Sequence, residues 1–155
     1  MTPPVVAAAR GWIGTPYLHQ ASVKGVGCDC LGLIRGLWRE IHGAEPEQVP
    51  AYTPDWSEPQ GVEQLWQAAL RHMPPATGPL ATGDVLLFRM RAGGVAKHLG
   101  LVSATGDAPA FIHAYARYGT VESPLSAPWA ARIAAAAALA LAKPDASLST
   151  RMLSA

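Results

Sequence analysis

The chain has 155 residues, half of them hydrophobic and 15% charged, with a net charge of +1. That length supports one domain with its own core, and the composition excludes a disordered chain or a coiled coil. No basic run stands out, which excludes nucleic acid as an expected partner, and two cysteines only two positions apart exclude a disulfide framework.

The opening segment from Met1 to Arg10 lacks the basic start and long apolar run of a signal peptide. The alanine-rich stretch from Ile133 to Ala142 falls well short of the roughly 20 residues that a membrane span needs. The expectation is a chain made in the cytoplasm and not inserted in a membrane. Residues 3–14 place Val5, Val6, Ala9, Trp12 and Ile13 at helical spacing behind Pro3 and Pro4, and predict an amphipathic helix closed by Gly14. Thr15-Pro16-Tyr17 predicts an extended segment, because a residue before proline avoids the helical region. Leu18 to Gly27 reads as a loop.

At Gly27-Cys28-Asp29-Cys30-Leu31-Gly32-Leu33 this loop becomes a helix running to about Ile41. Asp29 is a good N-cap, and Cys30 falls in the first turn, where the helix dipole favours a thiolate. The negative charge of Asp29 opposes that effect, so a nearby imidazolium would be needed to settle it. Cys30, Ile34, Leu37 and Ile41 share a face, and Gly32 with Gly36 leaves a smooth strip for close packing. Ala44 to Glu58 has no periodicity and reads as a surface loop. Val62, Leu65, Trp66, Ala69 and Leu70 predict a further helix, stopped by Pro74-Pro75.

Strand patterns follow at Asp84–Met90, Lys97–Ser103, Ala110–Tyr115 and Gly119–Glu122, while Arg132–Ala142 fits either a helix or a last strand. Helices first and strands after predict an α+β fold, with helices packed on an antiparallel sheet. Residues 1–142 form one domain in this reading, and 143–155 form a mobile tail.

Cysteine chemistry on a carbonyl needs a thiol, an imidazole within reach, and a polar group that orients the imidazole. Cys30 and His98 supply the first two. His113, on what reads as the neighbouring strand, can fix the tautomer of His98, with both rings facing the helix. Cys28 reads as a loop-lining residue, and His19, His42 and His72 as solvated surface groups. Trp12, Trp38 and Trp66 read as core, and Asp55, Glu58 and Glu63 as solvated charge. On paper Cys28, Cys30, His98 and His113 also make a Cys₂His₂ metal set, although the Cys-x-Cys gap is tighter than usual.

Gly14-Thr15-Pro16-Tyr17, the Cys30 segment, Gly83-Asp84-Val85-Leu86-Leu87-Phe88, Lys97-His98-Leu99-Gly100-Leu101-Val102 and Phe111-Ile112-His113-Ala114 follow one another in a familiar order. Over residues 5–142 the chain resembles the NlpC/P60 cysteine peptidases. With Asp-Cys-Leu-Gly at the nucleophile and Val121-Glu122-Ser123-Pro124-Leu125, it looks most like the branch found in tailed phages and gene transfer agents. The resemblance implies a papain-like α+β fold and hydrolysis of peptide bonds in the peptidoglycan stem, commonly between D-glutamate and a diamino acid. It implies Cys30 as nucleophile, His98 as base and His113 as third member, with Tyr17 and Asp29 beside the substrate. It calls for no cofactor or metal. The expected partners are the stem peptide and the hub or baseplate proteins of a phage-like tail, which would carry the enzyme to the wall. The alternative is a non-catalytic structural or metal-binding part of such a hub. Many family members have serine where this chain has Leu31, so different subsite chemistry is expected near the helix start.

Overall fold

The computed structural model describes residues 2–54 and 61–139. The predicted tail, together with Asp55 and Glu58, lies outside the described residues. The element order is α1 (Pro4–Arg10), β1 (Ser22–Val23), β2 (Gly27–Cys28), α2 (Cys30–His42), α3 (Gln64–His72), β3 (Asp84–Arg89), β4 (Ala96–Ala104), β5 (Ala110–Tyr115), β6 (Gly119–Pro124), α4 (Ala127–Ala130) and β7 (Ile133–Ala138). β3 to β7 form one antiparallel sheet in the order β6-β5-β4-β3-β7, so the α+β expectation holds.

The ambiguous alanine run resolves as strand. Ala135 to Ala138 pair with Leu87 to Asp84 of β3, and short side chains let this edge strand lie close to the core. Its outer edge is taken by irregular chain: Ala76 N–H donates to Ala136 O, and Ala138 N–H donates to Pro74 O, both at 2.9 Å. The opposite edge is treated in the same way. Thr120 N–H donates to Thr15 O and Gly14 N–H to Thr120 O, again at 2.9 Å.

Alternation along the strands divides the core in two. Val85, Leu87, Leu99, Leu101, Ile112 and Ala114 face the helices and meet Val5, Val6, Leu33, Leu37 and Trp38. Leu86, Phe88, Val102 and Phe111 face the other way, and Leu125 and Trp129 cover them. α2 lies against β4, β5 and α1, and its two glycines make room for chain that follows α1. A Cβ on Gly36 would sit 2.1 Å from the Trp12 ring, and one on Gly32 would sit 1.8 Å from the Ala21 carbonyl oxygen. The small-residue strip is therefore what lets Trp12 and the 18–21 segment seat.

Some details differ from the sequence reading. α1 ends at Arg10, and turns carry the chain to Gly14, whose φ of +92° suits glycine. The buried face of α3 is Leu65, Ala69 and then Met73, a strict step of four; Val62 and Leu70 are exposed, and Trp66 is half-buried under the Arg89 guanidinium. The 18–27 loop contains the β1–β2 hairpin, too short for any periodic signal. Among the described residues no helix is long and apolar enough to cross a membrane.

Candidate active site

Asp29 builds the start of α2. Its Oδ1 accepts the Gly32 N–H at 2.7 Å, the N-cap role expected of it. Its Oδ2 accepts the Gln20 N–H at 2.7 Å and the Tyr52 hydroxyl at 2.5 Å. Tyr52 brings the 44–54 segment to the site: its carbonyl lies 2.9 Å from His19 Nε2 and accepts from Gln20 Nε2 at 2.7 Å. One carboxylate, 2% exposed, thus ties together the helix start, the 17–21 segment and the segment after α2. His19 is exposed, as expected of it, and also reaches this knot, 3.7 Å from Asp29 Oδ2.

Cys30 follows at the first helical position and is 7% exposed. Its Sγ lies against the β4 backbone, 3.9 Å from Lys97 O. Burial pushes the thiol up to about 12, and the Asp29 charge adds to this; the backbone N–H groups of Leu99, Leu31 and Cys30 pull the other way and lose. The contest set up in the sequence therefore ends in favour of the neutral thiol.

His98 leaves β4 between the two backbone groups that touch Cys30. Both residues line one cleft of about 190 Å³, with Tyr17, Asp29, Tyr52, Lys97 and Tyr115 among its other walls. His98 Nε2 is 2.8 Å from His113 Nδ1, and His113 Nε2 is 2.9 Å from Ser123 Oγ. Burial drives His98 down to about 3, helped by His113, and burial alone drives His113 down to about 4. Both rings are neutral near pH 7, so no imidazolium stands ready to draw off the thiol proton in advance.

The rings do not face the helix as expected. His98 sits opposite Phe88 in the β3–β4 register, and both imidazoles pack in the second core among Phe88, Phe111 and Trp129. The β3–β4 register is irregular between Phe88 and Arg89, next to His98, and the cleft is lined both by Cys30, which packs in the helix-side core, and by His98, which packs in the second. Trp129, on the four-residue α4, walls the pair and had no periodic signal in the sequence. Ser123 was visible only inside the Val121–Leu125 motif; its place diagonal to His113 across β5 and β6 needs the register.

Tyr17 bridges to Cys28 and lines the cleft; burial and the charges of Cys30, Asp29 and Cys28 push its phenol up to about 12, leaving it a donor at neutral pH. Cys28 is fully buried in β2, its Sγ 3.2 Å from Thr120 Oγ1. The Cys₂His₂ set therefore does not converge, and among the described residues no group of three or more His, Cys, Asp or Glu side chains is placed to hold a metal. Leu31 lies in the wall of a different hollow, about 380 Å³, between α2, α3 and the 45–51 segment, and is not among the residues that line the cleft of Cys30 and His98. Three other residues expected to be solvated are partly buried and engaged. His42 Nε2 meets Leu139 O at 2.8 Å, His72 Nε2 lies 3.3 Å from Glu47, and Glu63 accepts the Ala96 N–H at 3.1 Å.

No protein-family model matches the chain, and no curated protein matches it either. Solved structures do. A protein of Bacillus cereus ATCC 10987, described as of the NlpC/P60 family, superposes with a TM-score of 0.58 at 23% identity, over 88% of this chain and 40% of that one. A lipoprotein-like protein of Staphylococcus aureus Mu50, described as of the NLP/P60 family, gives 0.56 at 20% identity, over 87% and 40%. The protein Ly7917 gives 0.54 at 17% identity, over 90% and 61%. The chain thus spans less than two thirds of the length of each of these structures, and it shares with them the fold: helices on an antiparallel five-stranded sheet, as in NlpC/P60 proteins.

Proposed function

We propose that this chain is a thiol peptidase that hydrolyses peptide bonds in the stem of bacterial peptidoglycan. The observation that carries the reading is the convergence of Cys30 and His98 in one cleft, with His113 hydrogen-bonded behind His98, on an NlpC/P60 fold. His98 Nε2 is engaged with His113, so Nδ1 is the nitrogen left to act on Cys30. The pair starts neutral. As Sγ attacks the scissile carbonyl carbon, Nδ1 takes the thiol proton, and the resulting imidazolium returns it to the leaving amine as the acyl-enzyme forms. Water, deprotonated by the same imidazole, then releases the acyl group.

The Cys30 backbone N–H and the Tyr17 hydroxyl are the donors assigned to the oxyanion. Asp29 and Tyr17 line the cleft where the stem peptide binds. Asp29 acts there mainly by holding the walls in register, since both its oxygens already accept hydrogen bonds.

The setting we propose is a phage-like tail particle, with hub or baseplate proteins as partners and synthesis in the cytoplasm of the producing cell. The Asp-Cys-Leu-Gly form and the Val121–Leu125 segment support it. Immunodetection in purified particles tests it, and absence from them refutes it. The enzymatic reading is tested by incubating the protein and its Cys30→Ala variant with peptidoglycan and weighing the released fragments. Fragments from the unaltered protein alone are expected, and their masses name the bond. Equal patterns from both proteins refute the reading.

A further inference from the structure

The hydrogen-bonded line does not end at His113. It runs on to Ser123 of β6, a half-buried residue on the outermost strand, whereas His113 itself is 1% exposed. A neutral imidazole carries one ring proton, so two neutral rings joined by one hydrogen bond admit only two proton arrangements. In the first, His98 Nε2–H donates to His113 Nδ1, and His113 Nε2–H donates to Ser123 Oγ. In the second, the Ser123 hydroxyl donates to His113 Nε2, and His113 Nδ1–H donates to His98 Nε2. The second arrangement leaves a proton on His98 Nδ1, which then has no lone pair for the Cys30 proton.

We propose that Ser123 is a positioning residue: by accepting the His113 Nε2–H, its oxygen holds the line in the first arrangement and keeps His98 Nδ1 free to serve as base. The inference rests on the assignment of His98 as base given above. It adds that the competence of this base is decided two hydrogen bonds away, by a hydroxyl whose own proton can turn to solvent at the sheet edge. Removing the hydroxyl leaves His113 Nε2 without its acceptor and lets the second arrangement compete. When His98 becomes an imidazolium, the same line passes the charge's polarisation toward Ser123, so the residue also stabilises the state formed on attack.

The test uses the full chain labelled with ¹⁵N-histidine, with tautomers read from ring nitrogen shifts and two-bond couplings. His98 and His113 are both expected to carry their proton on Nε2. In Ser123→Ala, Nδ1-protonated rings are expected to appear, and alkylation of Cys30 by iodoacetamide, located by mass spectrometry, to slow about tenfold, a fraction of what a general base contributes. Ser123→Thr keeps a hydroxyl and is expected to restore both. A proton on His98 Nδ1 in the unaltered protein overturns the proposal without any variant having to fold. So does a folded Ser123→Ala protein with unchanged tautomers and alkylation rate, or a folded Ser123→Thr protein that restores neither. None of these readouts needs a peptide substrate, so a protein with the expected tautomers that cleaves no peptidoglycan refutes the peptidase reading alone.

Discussion

Replacing Asp29 separates what this carboxylate holds together from what it does to the Cys30 thiol. Asp29→Ala removes the cap on the Gly32 N–H, worth about 1 kcal/mol. It also strips the acceptor from the Gln20 N–H and the Tyr52 hydroxyl, each costing about 1 kcal/mol, because water from the adjacent cleft offsets part of the loss. The sum is about 3 kcal/mol, which for a chain of this size lowers the melting temperature by about 6–12 °C. The Asp29 charge is also the second cause, after burial, of the raised Cys30 thiol. Asp29→Asn keeps a capping side chain and removes the charge, so its thiol titrates lower and reacts faster with iodoacetamide at a fixed pH near 8. Urea denaturation gives the first quantity and the pH dependence of alkylation gives the second. An Asp29→Ala protein as stable as the parent would show that the three hydrogen bonds do not hold the site, and slower alkylation in Asp29→Asn would refute the electrostatic argument.

His113→Ala lowers turnover on peptidoglycan by misorienting His98 rather than abolishing it, whereas Cys30→Ala abolishes it; unchanged activity in His113→Ala removes the residue from the triad. Because thiol and imidazole start neutral, the ultraviolet absorbance of a thiolate, taken as the difference from Cys30→Ala, is absent from pH 5 to 8, and its presence in that range would show a preformed ion pair. Stability depends on the same rings. Unfolded histidines bind protons below about 6.5, while the folded His98 and His113 do so only near 3 and 4. Their contribution is therefore complete above 6.5 and is lost as pH falls toward 4, a drop of several kcal/mol by urea titration that a His98→Gln, His113→Gln protein does not show. Gly36→Ala places a methyl 2.1 Å from the Trp12 ring and costs about 1–3 kcal/mol, with Trp12 fluorescence reporting the displaced ring.

Much of this architecture was legible because it rests on local rules. Asp29 before an apolar periodic run announced the start of α2, and the alternating run around Leu99 and Leu101 announced a strand with its core face. Cys30, His98 and His113 stood out because each is a chemically capable residue at an element with a clear signal. What was not legible depends on register and closure. His98 and His113 alternate with Leu99 and Ile112 and so share the side of Val102 and Phe111, but that the helices cover the opposite side is fixed only by the tertiary packing, and Trp129 covers them from a single turn of helix that no periodicity can reveal. Tyr52 and His19 belong to segments without repeats, and only the chain path brings them to Asp29. The state of Cys30 was left open by the sequence because dipole and neighbouring charge oppose each other. Burial, which the sequence did not weigh, decided it.

The plugged margins of the sheet restrict how this protein can be joined to anything else. A strand margin with free amides and carbonyls invites a foreign strand to continue the ladder. Here Pro74–Ala76 occupies the outer side of β7, and Gly14–Thr15 occupies part of β6 around Thr120. At those stretches a partner finds its places already filled by the molecule's own chain. Attachment there has to be made through side chains, and can be altered by surface substitution without disturbing the ladder.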